Sequence, residues 1–180
     1  MTWDGTQYPY EEWNQDQNLF SAMESSTTWY FQNLDQQIGK KKLKEYYEQI
    51  NYGNSDLSVH SISNYWLDDS LKISPVEQVD ILKKFYNNEF AFEKSNIQTV
   101  KDSLLLEKSN GNRLSGKTGT AVFNGENSDG WFVGYVETED NTFFFSVHIK
   151  GKKQAGGSSA AKIALSILEK EGIYQSVSRR

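Results

Sequence analysis

The chain has 180 residues, 37% of them apolar and 14% aromatic, which is core material for one compact domain and excludes wholesale disorder. A net charge of −5 argues against nucleic acid as a partner, because phosphates need a basic face. With no cysteine and only two histidines, His60 and His148, disulfides, thiolate metal sites and multi-histidine centres are excluded, and neither metal nor cofactor is expected.

Residues 1–13 are turn-like and aromatic, with Trp3, Tyr8, Tyr10 and Trp13. A helical pattern begins with Asn14 as cap and Gln17 three residues on, and Phe20, Met23, Thr27, Tyr30 and Leu34 share one face. The hydroxyl run Ser25-Ser26-Thr27-Thr28 divides this pattern into two short helices meeting near Ser25, the second ending near Gln37. Another helix is read over 40–50, with Leu43, Tyr46, Tyr47 and Ile50 inward. Residues 51–73 form a long irregular stretch that nonetheless carries Tyr52, Tyr65 and Trp66, and such loops are often functional. Here His60 reads as solvated.

Ser74-Pro75-Val76-Glu77 is a helix start with a capping serine, a proline in the first turn and a glutamate to close the box. Val76, Val79, Leu82 and Phe85 continue it, and a further helix over 94–106 turns Ile97, Val100 and Leu104 inward. The chain then changes to three antiparallel strands, 113–123, 130–138 and 142–150, with 124–129 and 139–141 as connections. His148 falls among strand aromatics and reads as packed. A last helix over 158–171 has Ala160, Ile163, Ala164, Ile167 and Leu168 as its buried stripe, with Gly156-Gly157 as a hinge before it and Gly172 ending it. The expected fold is α/β of the α+β kind, a single domain over 1–180: a mostly helical lobe at 1–110, then strands and the last helix at 111–180. No run of about 18 apolar residues is present to span a membrane. The first residues have neither the basic start nor the apolar stretch of a signal peptide.

The segment that carries chemistry is Lys117-Thr118-Gly119-Thr120. On a strand it offers an ammonium, two hydroxyls and a backbone without a side chain, which together make a clamp for a carboxylate. Ser26-Thr27-Thr28, Tyr52-Gly53-Asn54 and Tyr65-Trp66-Leu67 lie upstream, and Gly130-Trp131-Phe132-Val133-Gly134-Tyr135 follows ten residues on.

In order and spacing these motifs resemble class D serine β-lactamases. They are closer still to the extracellular penicillin-sensor domains of the transmembrane receptors that induce β-lactam resistance. Tyr8-Pro9-Tyr10-Glu11-Glu12-Trp13-Asn14 fits the sensor branch, and the resemblance runs from Trp3 to about Gly172. It implies a β-lactam as ligand and a place on the outer face of the membrane. It also implies roles. Ser26, at a helix start, would pass protons, and Lys117 would orient the ligand carboxylate and polarise Ser26. Thr118 and Thr120 would bond that carboxylate beside Gly119, and the Thr120 N–H would form half an oxyanion hole. Tyr52, Gly53 and Asn54 would wall the cleft, and Trp66 would border the pocket of a catalytic lysine. Thr28 stands where sensors have Asn and many class D enzymes Val, so its hydroxyl is the group available for ligand there.

The family's nucleophile lies in Ser-x-x-Lys, well before the Ser26 motif. No such match precedes Ser26 here. The spacing occurs once, at Ser159-Ala160-Ala161-Lys162, where it reads as a helix start with a solvated lysine. Serine acylation needs a hydroxyl paired with a base, so catalysis is not expected of these residues alone. The resemblance also implies that the central nucleophile helix and first strands of the fold are missing. The 142–150 strand, with Phe143, Phe144 and Phe145, would then be an open edge inviting a complementing segment or self-association. A non-enzymatic interaction module, or an inactive remnant, is the alternative.

Overall fold

The computed structural model describes residues 1–58, 64–67, 70–151 and 153–176. The chain divides into two compact units, Met1–Ile73 and Ser74–Arg180.

The first unit is helical. A 3-10 turn at Glu11–Trp13 precedes α1 (Leu19–Ser25), α2 (Thr28–Ile38) and α3 (Lys40–Gln49). The start of α1 is not capped by Asn14. Asn18 accepts from the Ser21 N–H and Ser21 returns the bond, a complete capping box. Asn14 instead accepts from the Tyr8 N–H at 2.8 Å and donates to the Tyr8 carbonyl at 3.0 Å, fastening the aromatic N-terminal segment. Ala22, Trp29 and Tyr30 are the buried centre of one cluster, with Trp3, Trp13 and Leu34 against it, whereas Phe20 is exposed. Leu43, Leu57 and Tyr65 centre a second cluster, to which Tyr47 contributes; Tyr46 points to solvent. His60 lies outside the described residues.

The second unit packs helices on a four-stranded antiparallel sheet in the order β1-β2-β3-β4. Helices α4 (Pro75–Tyr86) and α5 (Lys94–Leu104) lead into β1 (Leu105–Ser109), β2 (Asn112–Phe123), β3 (Glu126–Glu137) and β4 (Thr142–Lys150), and α6 (Gly157–Lys170) ends the fold. The Ser74 box forms as the sequence predicts, with Ser74 accepting from the Glu77 N–H and Glu77 accepting from the Ser74 N–H. Ile81 and Leu82 are buried, whereas Val76 is 80% exposed, so it is not part of the inward face.

Strand β1 corrects the expected three-stranded sheet. The helix stops at Leu104, and Leu105 opens a strand that returns through Asn110-Gly111, both with positive φ (51° and 83°). A second pair, Asn124-Gly125 (φ 51° and 76°), makes the β2–β3 connection two residues long and starts β3 at Glu126, not Gly130. Both are two-residue turns with left-handed central residues, whose twist matches that of the flanking strands. The core lies between one sheet face and α6: Phe132 meets Ala160 and Ala164, and Leu114 and Val136 meet Leu168 and Tyr174. The stripe on α6 is therefore Ala160, Ala164 and Leu168. Ile163 and Ile167, expected inward, are 43% and 51% exposed. Within this sheet β4 pairs with β3 alone, and Phe143, Phe144 and Phe145 are half-buried. Phe145 packs on Phe132 at 5.0 Å between ring centres, and Phe144 packs on Tyr86 at 5.3 Å.

Candidate functional site

The residues singled out in the sequence fall into two groups. Lys117, Thr118, Gly119 and Thr120 belong to the sheet unit; Ser26, Thr28, Tyr52, Gly53, Asn54 and Trp66 belong to the helical unit.

Lys117 to Thr120 occupy the middle of β2, opposite Val133, Phe132, Trp131 and Gly130 of β3 in turn. Thr118, Gly119 and Thr120 are exposed. Lys117 is half-buried; its Nζ donates to the Thr118 carbonyl at 3.0 Å, and burial pulls its ammonium below the usual lysine range. Alternation places Lys117 and Gly119 on one face and Thr118 and Thr120 on the other. The second face is the one covered by α6.

Gly156-Gly157 is not a hinge but a close-packing point. A Cβ on Gly157 would lie 2.8 Å from both the Gly119 carbonyl oxygen and the Thr118 Cβ. A Cβ on Gly130 would run into the Gly156 carbonyl, so β3 also needs a glycine here. Thr120 Oγ1 accepts from the Gly157 N–H at 2.9 Å, satisfying one of the free N–H groups that open α6. That hydroxyl keeps its own proton for donation to a ligand oxygen. The glycine pair was legible only as flexibility; its packing role depends on which strand α6 meets.

Next to this strand, Trp131 stacks on His148 with ring centres 4.0 Å apart, and His148 Nε2 lies 3.0 Å from Asp129 Oδ1. His148 is packed, as its strand setting suggested.

In the helical unit Ser26 does not start a helix. It is the C-cap of α1, in the left-handed region (φ 53°), and Thr27 is the N-cap of α2. Left-handed backbone costs a non-glycine residue of order 1 kcal/mol and often marks functional positions. Ser26 is exposed, Thr27 is buried, and Thr28 opens α2 half-exposed.

Tyr52-Gly53-Asn54 is a turn bonded to the far end of the same irregular stretch. The Asn54 N–H donates to the Lys72 carbonyl, Asn54 Oδ1 accepts from the Lys72 N–H, and Asn54 Nδ2 donates to the Ser70 carbonyl, all at 2.8–2.9 Å. Gly53 has positive φ and no room for a Cβ against the Lys72 carbonyl. Burial raises the Tyr52 hydroxyl to about 12. The Trp66 indole Nε1 donates to Asp35 Oδ2 at 3.0 Å. Asp35, buried on α2, escaped notice in the sequence; the signal was an acid one helical turn after Phe31. Lys162 is exposed on α6, in keeping with a solvated role.

An antiparallel sheet carrying Lys-Thr-Gly-Thr on an exposed strand, with a C-terminal helix across one face, defines a transpeptidase-like penicillin-recognising fold. The chain belongs to the penicillin binding protein transpeptidase domain family, matched over residues 1–169. It is 72% identical over 179 residues to the regulatory protein BlaR1 of Bacillus licheniformis, covering 99% of this chain and 30% of that protein's length. The solved C-terminal domain of the Bacillus licheniformis BlaR penicillin-receptor superposes with a TM-score of 0.92 at 70% identity, over 97% of this chain and 70% of that one. A class D β-lactamase from Bacillus subtilis superposes with a TM-score of 0.89 at 36% identity, over 98% and 71%. The α+β, β-lactamase-like fold class is thus as the sequence indicated.

Proposed function

We propose that the chain is part of a β-lactam sensor domain and binds penicillin-like molecules through their carboxylate. The observation that carries this is the exposed Thr118-Gly119-Thr120 stretch beside the half-buried Lys117, in a chain so similar to BlaR1. A buried cation attracts an anion more strongly than a solvated one, because the local dielectric is lower. Lys117 orients the carboxylate from one face of β2 and Thr118 and Thr120 donate to it from the other, past the stretch of β2 that β1 covers, and the Thr120 N–H serves an acyl oxygen. Ser26 relays protons, Thr28 supplies a hydroxyl, and Tyr52, Gly53, Asn54 and Trp66 line the cleft.

The contacts assigned to these residues are non-covalent, and through them the ligand is bound reversibly. The ligand is met on the outer face of the cell membrane; among the described residues no helix is long and apolar enough to cross a membrane. The outer edge of β4 is where a complementing segment, or a second copy, would add a strand. Titration of a fluorescent penicillin followed by anisotropy, with a denaturing gel for covalent label, tests this. Saturable binding without label supports it. Label that survives denaturation, or no binding at all, contradicts it.

A further inference from the structure

Helix α2 carries Trp29, Gln32, Asn33 and Gln36 at i, i+3, i+4 and i+7, so the four share one helix face. All four line a cavity of about 250 Å³ within the helical unit. Thr2, Asp4 and Tyr8 of the N-terminal segment complete the lining. Both parts are fixed by bonds of their own. The Trp3 N–H donates to Asp16 Oδ1 at 2.9 Å, and Asp4 Oδ1 accepts from the Thr6 N–H at 2.9 Å. On α2, Trp29 is buried and its Nε1–H donates to the Trp13 carbonyl at 3.0 Å. The cavity is thus built before any ligand arrives, which lowers the ordering cost of binding.

The polar face of a helix ordinarily mixes charged side chains. Here it carries three carboxamides, each with two N–H donors and an acceptor oxygen. Gln32 Nε2 donates to Asn64 Oδ1 at 3.2 Å, whereas the exposed Asn33 makes no side-chain hydrogen bond among the described residues. Hydrogen bonds from Thr6 hold the Asp4 carboxyl below the usual carboxylate range, so it is ionised and accepts. No lysine, arginine or histidine lines the cavity among the described residues, so an anion would meet a carboxylate and no cation. Neighbouring hydroxyls, each a donor and an acceptor, match this set of groups. Tyr8 and Trp29 add aromatic residues, against which the C–H face of a sugar ring packs. We propose that this cavity binds a single ring of a neutral saccharide. Its volume lies below the range of about 300–1,000 Å³ found for drug-sized ligands, which suits one ring. The site does not rest on the reading of Lys117 to Thr120, which belong to the other unit.

The test uses the full chain and nitrogen–proton NMR. Glucose, galactose, mannose and N-acetylglucosamine are titrated separately, each to about 100 mM, because a lone ring held by a few neutral hydrogen bonds binds in the millimolar range. The Asn33 side-chain amide is assigned by its loss in Asn33→Ala, and the Trp29 indole by its loss in Trp29→Phe. At least one sugar should shift both resonances saturably, and inorganic phosphate should shift neither. Asn33→Ala, followed through the Trp29 indole, should weaken that sugar about three- to tenfold, the loss of a neutral hydrogen bond. Gln36→Ala, also at an exposed position, repeats the measurement on a second carboxamide, with both variants shown to melt cooperatively. No saturable shift with any of the four sugars overturns the proposal. So do shifts confined to residues outside the cavity, a response to phosphate alone, or an affinity unchanged by both substitutions. None of these outcomes bears on penicillin binding, which is measured separately.

Discussion

The Thr120 hydroxyl accepts the Gly157 N–H at 2.9 Å, so the strand that carries Lys117-Thr118-Gly119-Thr120 and the first turn of α6 are fastened at one point. Neither partner is free to move without the other. The glycines around this bond allow backbone to meet backbone where any side chain would intrude.

The first prediction concerns that packing. In Gly157→Ala the new Cβ meets the Gly119 carbonyl and Thr118 Cβ at 2.8 Å, both on a strand held in the sheet by β3. The expected loss is about 1–3 kcal/mol, the range for overpacked sites. Urea unfolding measures it. Unchanged stability would mean that α6 can shift outward at no cost.

Thr120→Val tests the bond itself. The substitution keeps the shape, removes the acceptor, and leaves the Gly157 N–H without it. A loss of about 1–2 kcal/mol is expected in the same unfolding measurement.

In the helical unit, Gly53→Ala combines a positive φ with a clash against the Lys72 carbonyl. Relief requires the turn at Tyr52-Gly53-Asn54 to leave the 70–72 segment, breaking the bonds made by Asn54. The expectation is a loss above about 2 kcal/mol, larger than for a Gly→Ala change at an unstrained site. Proteolysis of the 51–73 segment should quicken in parallel.

A pH prediction follows from Asp129. Burial pushes its carboxyl up, but the His148 and Ser128 hydrogen bonds and the Lys150 charge pull it further down, so the net position is below the usual range. A carboxylate held lower in the folded chain stabilises it above about pH 4. That contribution is lost as pH falls through the folded-state value. Asp129→Asn should therefore flatten the acid limb of the stability profile, measured by urea unfolding between about pH 2 and pH 6. An acid limb unchanged by the substitution would contradict the assignment.

Much of this fold was readable in the residues. The Ser74 cap and the strands on either side of the 124–129 connection are local signals, and local geometry decides them. Yet Asn110-Gly111 went unread as a hairpin because Leu104-Leu105-Leu106 is apolar at every position, which suits a buried helix end as well as a strand. Val76, Ile163 and Ile167 lie on plausible helical stripes and still face outward. Periodicity says that a helix has an apolar side; the partner decides how wide a sector of it is covered.

The site divides in the same way. Lys117 to Thr120 could be found as a motif, because a cation, hydroxyls and a glycine in sequence are what the proposed clamp needs. The stapling of Asn54 to Lys72 and the grip of Asp35 on Trp66 join residues distant along the chain. Their meaning depends on tertiary contacts that no spacing displays.

The central claim is that Lys117 and Thr118 bind the carboxylate of a β-lactam. The most direct measurement is the anisotropy of a fluorescent penicillin titrated with the wild-type chain, Lys117→Ala and Thr118→Val, each shown to melt cooperatively. Saturable binding by the wild type, weakened about tenfold or more by each substitution, is predicted, as for loss of a bond to a charged group. Equal affinity in all three chains, or no binding by the wild type, would contradict it.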